Sequence, residues 1–206
     1  QNDTIKGVKK YKLSSPVITD TAKAENFIDL QRFALDPGNY LMQLTISDVG
    51  RKNPKIMTNK LPVIVDFPKD SIHVSSIELN ESYKPTQTVN ALSRSGYDLV
   101  PYVSSFYPAN LNTLSFYAEI YNAQKRIAAD DKMVVFAYIE SAETGARLSQ
   151  LSRFFKQSPQ KVNVILSEFP IETLPNGRYR LVIEARSSVN RLLAQNAITF
   201  DRLNPG

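Results

Sequence analysis

The chain has 206 residues, 42% hydrophobic and 22% charged, which places it among globular sequences and away from the polar, charge-rich composition of disorder. Its 25 Lys and Arg against 20 Asp and Glu give a formal charge of +5, scattered with no block of like charge of the kind that forms a nucleic-acid arm. Cysteine is absent, which excludes disulfides, thiolate metal sites and cysteine nucleophiles, and no apolar run reaches the roughly 20 residues of a membrane helix.

Ten Tyr and ten Phe beside seven Gly, with Val, Ile and Thr in short runs, predict strands rather than helices. In chain order, strands are expected at residues 8–14, 27–35, 40–47, 56–67 and 71–79. Residues 81–91 are polar, contain Pro85 and read as a linker. Residues 97–106 form a strand interrupted by Pro101, as an edge tolerates. Residues 113–122 alternate cleanly, with Leu114, Phe116, Ala118 and Ile120 on one face and Ser115, Tyr117, Glu119 and Tyr121 on the other. Residues 132–140 are apolar on both faces, as in the middle of a sheet. In residues 145–157, Leu148, Leu151 and Phe155 also fit one face of a helix, but the β-rich neighbours favour an edge strand. Strands at 161–169, 178–186 and 192–200 complete the series, and this spacing is that of a sandwich.

One pattern occurs twice. Leu35-Asp36-Pro37-Gly38-Asn39-Tyr40 and Leu174-Pro175-Asn176-Gly177-Arg178-Tyr179 each lead into an alternating strand, with Gly and Tyr in step. This is the arrangement of a tyrosine corner: glycine permits the tight turn, the ring packs inward, and the hydroxyl bonds back to the chain. The alternative is a generic hairpin turn in another β fold. Two corners predict an all-β chain of two tandem immunoglobulin-like β-sandwich modules. The first, residues 1–80, is short or incomplete because few residues precede Tyr40; a linker at 81–91 joins it to the second, residues 92–206. The chain begins at Gln1 rather than Met, as signal cleavage or excision from a longer protein would produce.

The motifs Ser76-Ile77-Glu78-Leu79, Arg94-Ser95-Gly96-Tyr97-Asp98-Leu99-Val100-Pro101 and Leu114-Ser115-Phe116-Tyr117-Ala118-Glu119-Ile120-Tyr121-Asn122 come in an order that resembles the immunoglobulin-like region of GWxTD-type secreted proteins of Bacteroidota. The strand near Leu174 extends the likeness, so it covers most of residues 27–203. The signature that names those proteins is not here, because the chain has no Trp. The resemblance implies a secreted, periplasmic or cell-surface location and an accessory role. Asp3-Thr4-Ile5, Asp20-Thr21-Ala22 and Asp70-Ser71-Ile72 are similar to the short O-glycosylation pattern of exported proteins in that phylum.

Catalytic chemistry finds little support. His73 is the one histidine, and between Ile72 and Val74 it reads as a partly exposed strand residue. Asp130, Asp131, Glu140 and Glu143 lie near one another, but the first two fit an acidic turn and no calcium-loop spacing is present. No nucleophile elbow or phosphate-binding glycine pattern occurs, so no catalytic residue, cofactor or metal is expected. The expected function is a non-catalytic structural or protein-interaction segment of an exported or cell-surface protein, with a protein or glycan of the cell envelope as partner, no nucleic acid and no membrane span in this segment. Candidate binding-surface residues are Tyr117, Tyr121, Arg178, Arg180 and Arg186, on strand faces turned away from the expected core; loop ends at 109–112 and 187–191 are further candidates. The alternative is a carbohydrate-binding accessory module using exposed tyrosines.

Overall fold

Antiparallel pairing organises nearly every strand of the computed structural model, which describes residues 4–14, 28–50 and 52–204. The chain divides into two compact units, Gln1–Ala34 and Leu35–Gly206. In the first unit the described residues form no strand. Lys9 Nζ donates to the Arg32 carbonyl at 2.8 Å and the Tyr11 hydroxyl donates to Asp29 at 2.8 Å. Val8 is 77% exposed, so the apolar positions that suggested strands at 8–14 and 27–35 are not buried; Phe27 lies outside the described residues.

The second unit opens with β1 (Gly38–Ser47) and β2 (Ile56–Val65), a two-stranded sheet in unbroken register from Gly38↔Val65 to Ser47↔Ile56. Ahead of β3, the regular structure among the described residues is this one hairpin. Next come β3 (His73–Val74), β4 (Glu78–Pro85), β5 (Ser93–Arg94), β6 (Tyr97–Pro101) and β7 (Phe106–Tyr107). The longer strands β8 (Thr113–Tyr121), β9 (Met133–Ser141), β10 (Arg147–Gln157), β11 (Val162–Pro170), β12 (Gly177–Arg186) and β13 (Leu192–Arg202) follow. One sheet has the order β10-β9-β12-β13-β7, the other β11-β8-β4-β6-β5 with β3 also paired to β8. The chain leaves β8 for β9 and β10, returns as β11 and crosses again to β12 and β13, while β7 runs parallel beside β13. This exchange between two sheets, with a tyrosine corner heading β12, defines an immunoglobulin-like sandwich.

The core follows from alternation. Leu114, Phe116, Ala118 and Ile120 of β8 are 0% exposed, as are Met133, Val135, Ala137 and Ile139 of β9 and Leu181, Ile183 and Ala185 of β12, and all belong to one apolar cluster. Both corners form: the Tyr40 hydroxyl donates to the Asp36 carbonyl at 2.7 Å and the Tyr179 hydroxyl to the Pro175 carbonyl at 3.1 Å. A Cβ on Gly177 would lie 3.2 Å from the Tyr179 ring, so a side chain there would press on the ring that forms the corner.

The linker expected at 81–91 is corrected by the pairing. Residues 78–80 pair with β8, and residues 80–85 pair with β6, so the sandwich begins well before residue 92. Ile72, Val74, Ile77 and Leu79 are buried in its core. The chain ahead of β3 is held by side chains that follow β8: Asn122 Nδ2 donates to the Pro68 and Ser71 carbonyls, at 3.0 and 3.1 Å, and Lys125 Nζ to the Lys69 carbonyl at 2.6 Å.

Tyr107 shows an imperfection in this core. Its ring is 2% exposed, edge-on to Phe200 at 5.6 Å, and its hydroxyl has no hydrogen-bond partner among the described residues. Burial pushes the phenol well above its usual range. Tyr107→Phe removes an unsatisfied polar group while keeping the ring, so it should raise stability by about 1 kcal/mol in urea unfolding.

Candidate functional site

Two carboxylates are sunk into the outer faces of the sandwich, one on each sheet. Glu119, on β8, is 6% exposed. The β5–β6 hairpin turns through Ser95 (φ 51) and Gly96 (φ 87), the two positive φ values of a type I′ turn, and this brings Arg94 and Ser95 over β8. Arg94 donates to Glu119 through Nε at 3.2 Å and Nη2 at 2.8 Å, and its guanidinium lies 4.9 Å from the Tyr117 ring centre. The Tyr117 hydroxyl donates to Glu119 Oε1 at 2.5 Å and the Tyr121 hydroxyl to Oε2. Burial alone would raise the Glu119 carboxyl; the hydrogen bonds from Arg94, Tyr117 and Tyr121 win and hold it at about 2. Burial, reinforced by the bond to Glu119, pushes both tyrosines up to about 12.

Glu184, on β12, is 5% exposed and similarly saturated. It accepts from Arg186 Nε at 2.7 Å and from the Tyr138 hydroxyl at 2.8 Å, and pairs with Arg147 Nη2 at 3.6 Å. Arg147 in turn caps the Tyr138 ring at 3.5 Å. Burial pushes the carboxyl up, and the bonds from Arg186 and Tyr138 bring it below the usual range. A carboxylate held ionised by fixed cations is a poor proton donor or acceptor near neutrality, so neither site suits acid–base chemistry.

The five residues expected to form a binding surface separate on the two sheets. Tyr117 is 1% exposed and spent on Glu119, so it is corrected from a surface ring to a buried one, because the β5–β6 turn lies over it. Tyr121 is half-buried, edge-on to Phe67 at 6.1 Å. Arg178 bonds Asp201 at 2.9 Å, Arg180 pairs with Glu140 at 3.1 Å, and Arg186 is held by Glu184. Asp131 accepts from the Ser188 hydroxyl at 3.0 Å rather than meeting Glu140. His73 is half-buried between the buried Ile72 and Val74. Ser71 is exposed, while Asp3 and Asp20-Thr21-Ala22 lie outside the described residues. Among the described residues, no group of three or more His, Cys, Asp or Glu side chains is placed to hold a metal, and no helix is long and apolar enough to cross a membrane.

The three arginines share the outer face of the five-stranded sheet with an aromatic pair. Phe154 of β10 is 66% exposed and stands opposite Phe136 of β9, ring centres 6.4 Å apart. Lys156 shares that face of β10, Arg147 stands near its other end, and Arg186 lies 5.9 Å from the Phe136 ring centre. β10 is the last strand of its sheet, so one of its edges is unpaired within the sheet. The neighbouring edge, β11, is partly closed: Gln157 Nε2 donates to the Val164 carbonyl at 3.0 Å and Arg153 Nε to the Glu168 carbonyl at 3.1 Å. Sequence reading passed over Phe154, although Phe154-Phe155 in an alternating strand must put one ring outside.

No family model matches the chain, and no curated protein does. Solved structures align with it at low identity. The periplasmic chaperone SfaE is 13% identical with a TM-score of 0.33, over 49% of this chain and 53% of that one, so the alignment spans about half the chaperone. An immunoglobulin-like protein of Pseudomonas aeruginosa is 12% identical with a TM-score of 0.31, over 62% of this chain and 97% of that one. A β-glucosidase of Kluyveromyces marxianus in complex with glucose is 9% identical with a TM-score of 0.31, over 63% of this chain and 13% of that one. The immunoglobulin-like assignment stands on the strand order and the tyrosine corner.

Proposed function

We propose that the chain is a non-catalytic protein-interaction segment of an exported or cell-surface protein, and that it docks an acidic partner on the outer face of the five-stranded sheet at the β10 edge. The observation that carries this reading is Phe154, a large apolar ring left 66% exposed beside Phe136 on a solvent face. Single exposed apolar residues are common, but a phenylalanine pair framed by Arg147, Lys156 and Arg186 is a different surface. It has an apolar centre and a cationic rim, the makeup of a small interface core facing an acidic partner. Arg178 and Arg180 lie further along the same face but are neutralised by Asp201 and Glu140. The net positive charge comes from Lys156 and from Arg147 and Arg186 sharing the single Glu184, and β10 itself has no acidic residue. An extended acidic segment with an apolar side chain opposite Phe154 would pair its backbone with the open edge of β10. The exported location is supported by the resemblance of the motifs at Ser76–Leu79, 94–101 and 114–122 to secreted proteins of Bacteroidota.

Phe154→Glu tests the reading, since it replaces the apolar centre with a charge that repels an acidic partner. The altered chain should keep its thermal transition within about 0.5 kcal/mol of wild type, the usual effect of a surface change. It should lose capture of a defined envelope protein by at least about tenfold, equivalent to ~1.4 kcal/mol. Equal capture by both chains would overturn the Phe154 surface, and binding to arrayed glycans that is lost on Tyr121→Ala would replace this proposal with the carbohydrate reading.

A further inference from the structure

The two hairpins headed by the tyrosine corners have different surroundings. In β12, Leu181, Ile183 and Ala185 follow Tyr179 on one face and are each 0% exposed, covered by the opposing sheet. The matching positions of β1 are Met42, Leu44 and Ile46, which are 41%, 47% and 57% exposed. Register sets Leu61 opposite Met42, Asn59 opposite Leu44 and Met57 opposite Ile46, so both strands contribute to the same face. With Tyr40, Val63 and Val65 it forms one apolar strip with no charged side chain. The other face is mixed: it also carries exposed apolar residues, Leu41, Ile56 and Ile64, but interrupts them with a charge and polar pairs, Gln43 opposite Lys60 and Thr45 opposite Thr58.

We infer that this strip is a self-association surface, and that its occupant is the same strip of a second copy, packed face to face about a two-fold axis. The second module shows what such a face requires: its counterpart is buried under another apolar sheet face. Among the described residues, the inner faces of the two large sheets already bury each other, so the uncovered sheet face of that character is the hairpin's own. A two-fold contact sets position i against j and j against i, with only residues at the axis meeting their own copies, so a like charge near the axis would be buried against its twin. This strip carries no charge at any position. Two strands of ten residues bury on the order of 1,000 Å² in total when stacked on a copy, the lower limit for a specific interface, so association should be weak and concentration-dependent. A lone hairpin of this kind is marginal in water, and pairing gives it the second layer it lacks.

Sedimentation equilibrium of the full 206-residue chain tests the inference. Wild type should rise from 23.2 kDa toward twice that mass with increasing concentration. Leu44→Glu combined with Ile46→Glu should remain monomeric, because four carboxylates would meet across the axis. Thr45→Glu, on the same strand but the mixed face, should associate like wild type. The thermal transition of the sandwich should be unchanged in both variants, which separates loss of association from loss of fold. A wild-type chain that stays at 23.2 kDa at every concentration would overturn the inference. So would association that survives the double substitution, which indicates edge-to-edge pairing, or association that is lost equally with Thr45→Glu.

Discussion

Arg94→Ala is expected to lower the unfolding free energy at pH 7 by about 2–3 kcal/mol. The substitution leaves Glu119, 6% exposed, without the guanidinium that neutralises it. Breaking a fully buried pair costs roughly 3–5 kcal/mol, and the discount reflects Arg94 itself, whose side chain is 36% exposed. The effect should depend on pH with a definite sign. In the wild type the Glu119 carboxyl is held at about 2 against an ordinary 4.5, so its contribution is complete above about 4.5 and is lost as pH falls through that window. In the variant, burial still raises the carboxyl and only the bonds from Tyr117 and Tyr121 remain to lower it, so it is depressed less than in the wild type. The gap between the two chains should therefore narrow between pH 5 and 2. Urea unfolding at pH 7 and at pH 3 measures it. A deficit equal at both values would mean that only the packing of the Arg94 stem on Tyr117 had been lost.

How far this arrangement could be read from the sequence differs from strand to strand. The alternation of Leu114, Phe116, Ala118 and Ile120 placed β8 and its inner face, because a half-buried strand writes its burial into every second residue. β4 escaped for the opposite reason. After Glu78–Asn80 it continues beside β6 with exposed side chains, and backbone pairing leaves no apolar pattern in Glu81-Ser82-Tyr83-Lys84. The apparent strands at 8–14 and 27–35 had the pattern without a pairing partner among the described residues. The two Gly-x-Tyr corners were legible because turn, ring and hydroxyl lie within a few residues of one another. Glu119 and Arg94 were not, since they are 25 residues apart and meet only through the β5–β6 turn. The outward face of Tyr117 was correctly inferred, yet facing away from the core did not mean exposure, because that turn lies over it. Phe154 was assigned to an edge strand, but its exposure depends on what sits beside that edge.

Removing residues 1–91 has the largest expected effect, and it tests the central claim that β3 and β4 are built into the sandwich. That deletion strips β8 of its pairings at His73↔Tyr121, Val74↔Ile120 and Glu78↔Tyr117. It also takes Ile72, Val74, Ile77 and Leu79 out of the core. At roughly 1.5–3 kcal/mol for each apolar side chain, about 6–12 kcal/mol of burial disappears, comparable with the whole stability of an ordinary domain. Removing residues 1–67 instead takes away the β1–β2 hairpin and keeps Pro68–Ser71 in reach of Asn122. Urea unfolding of the two shortened chains is the direct measurement. Residues 68–206 should unfold in one cooperative transition, and residues 92–206 should show none. A cooperative transition of equal midpoint from residues 92–206 would contradict the account and restore the polar stretch at 81–91 as a linker.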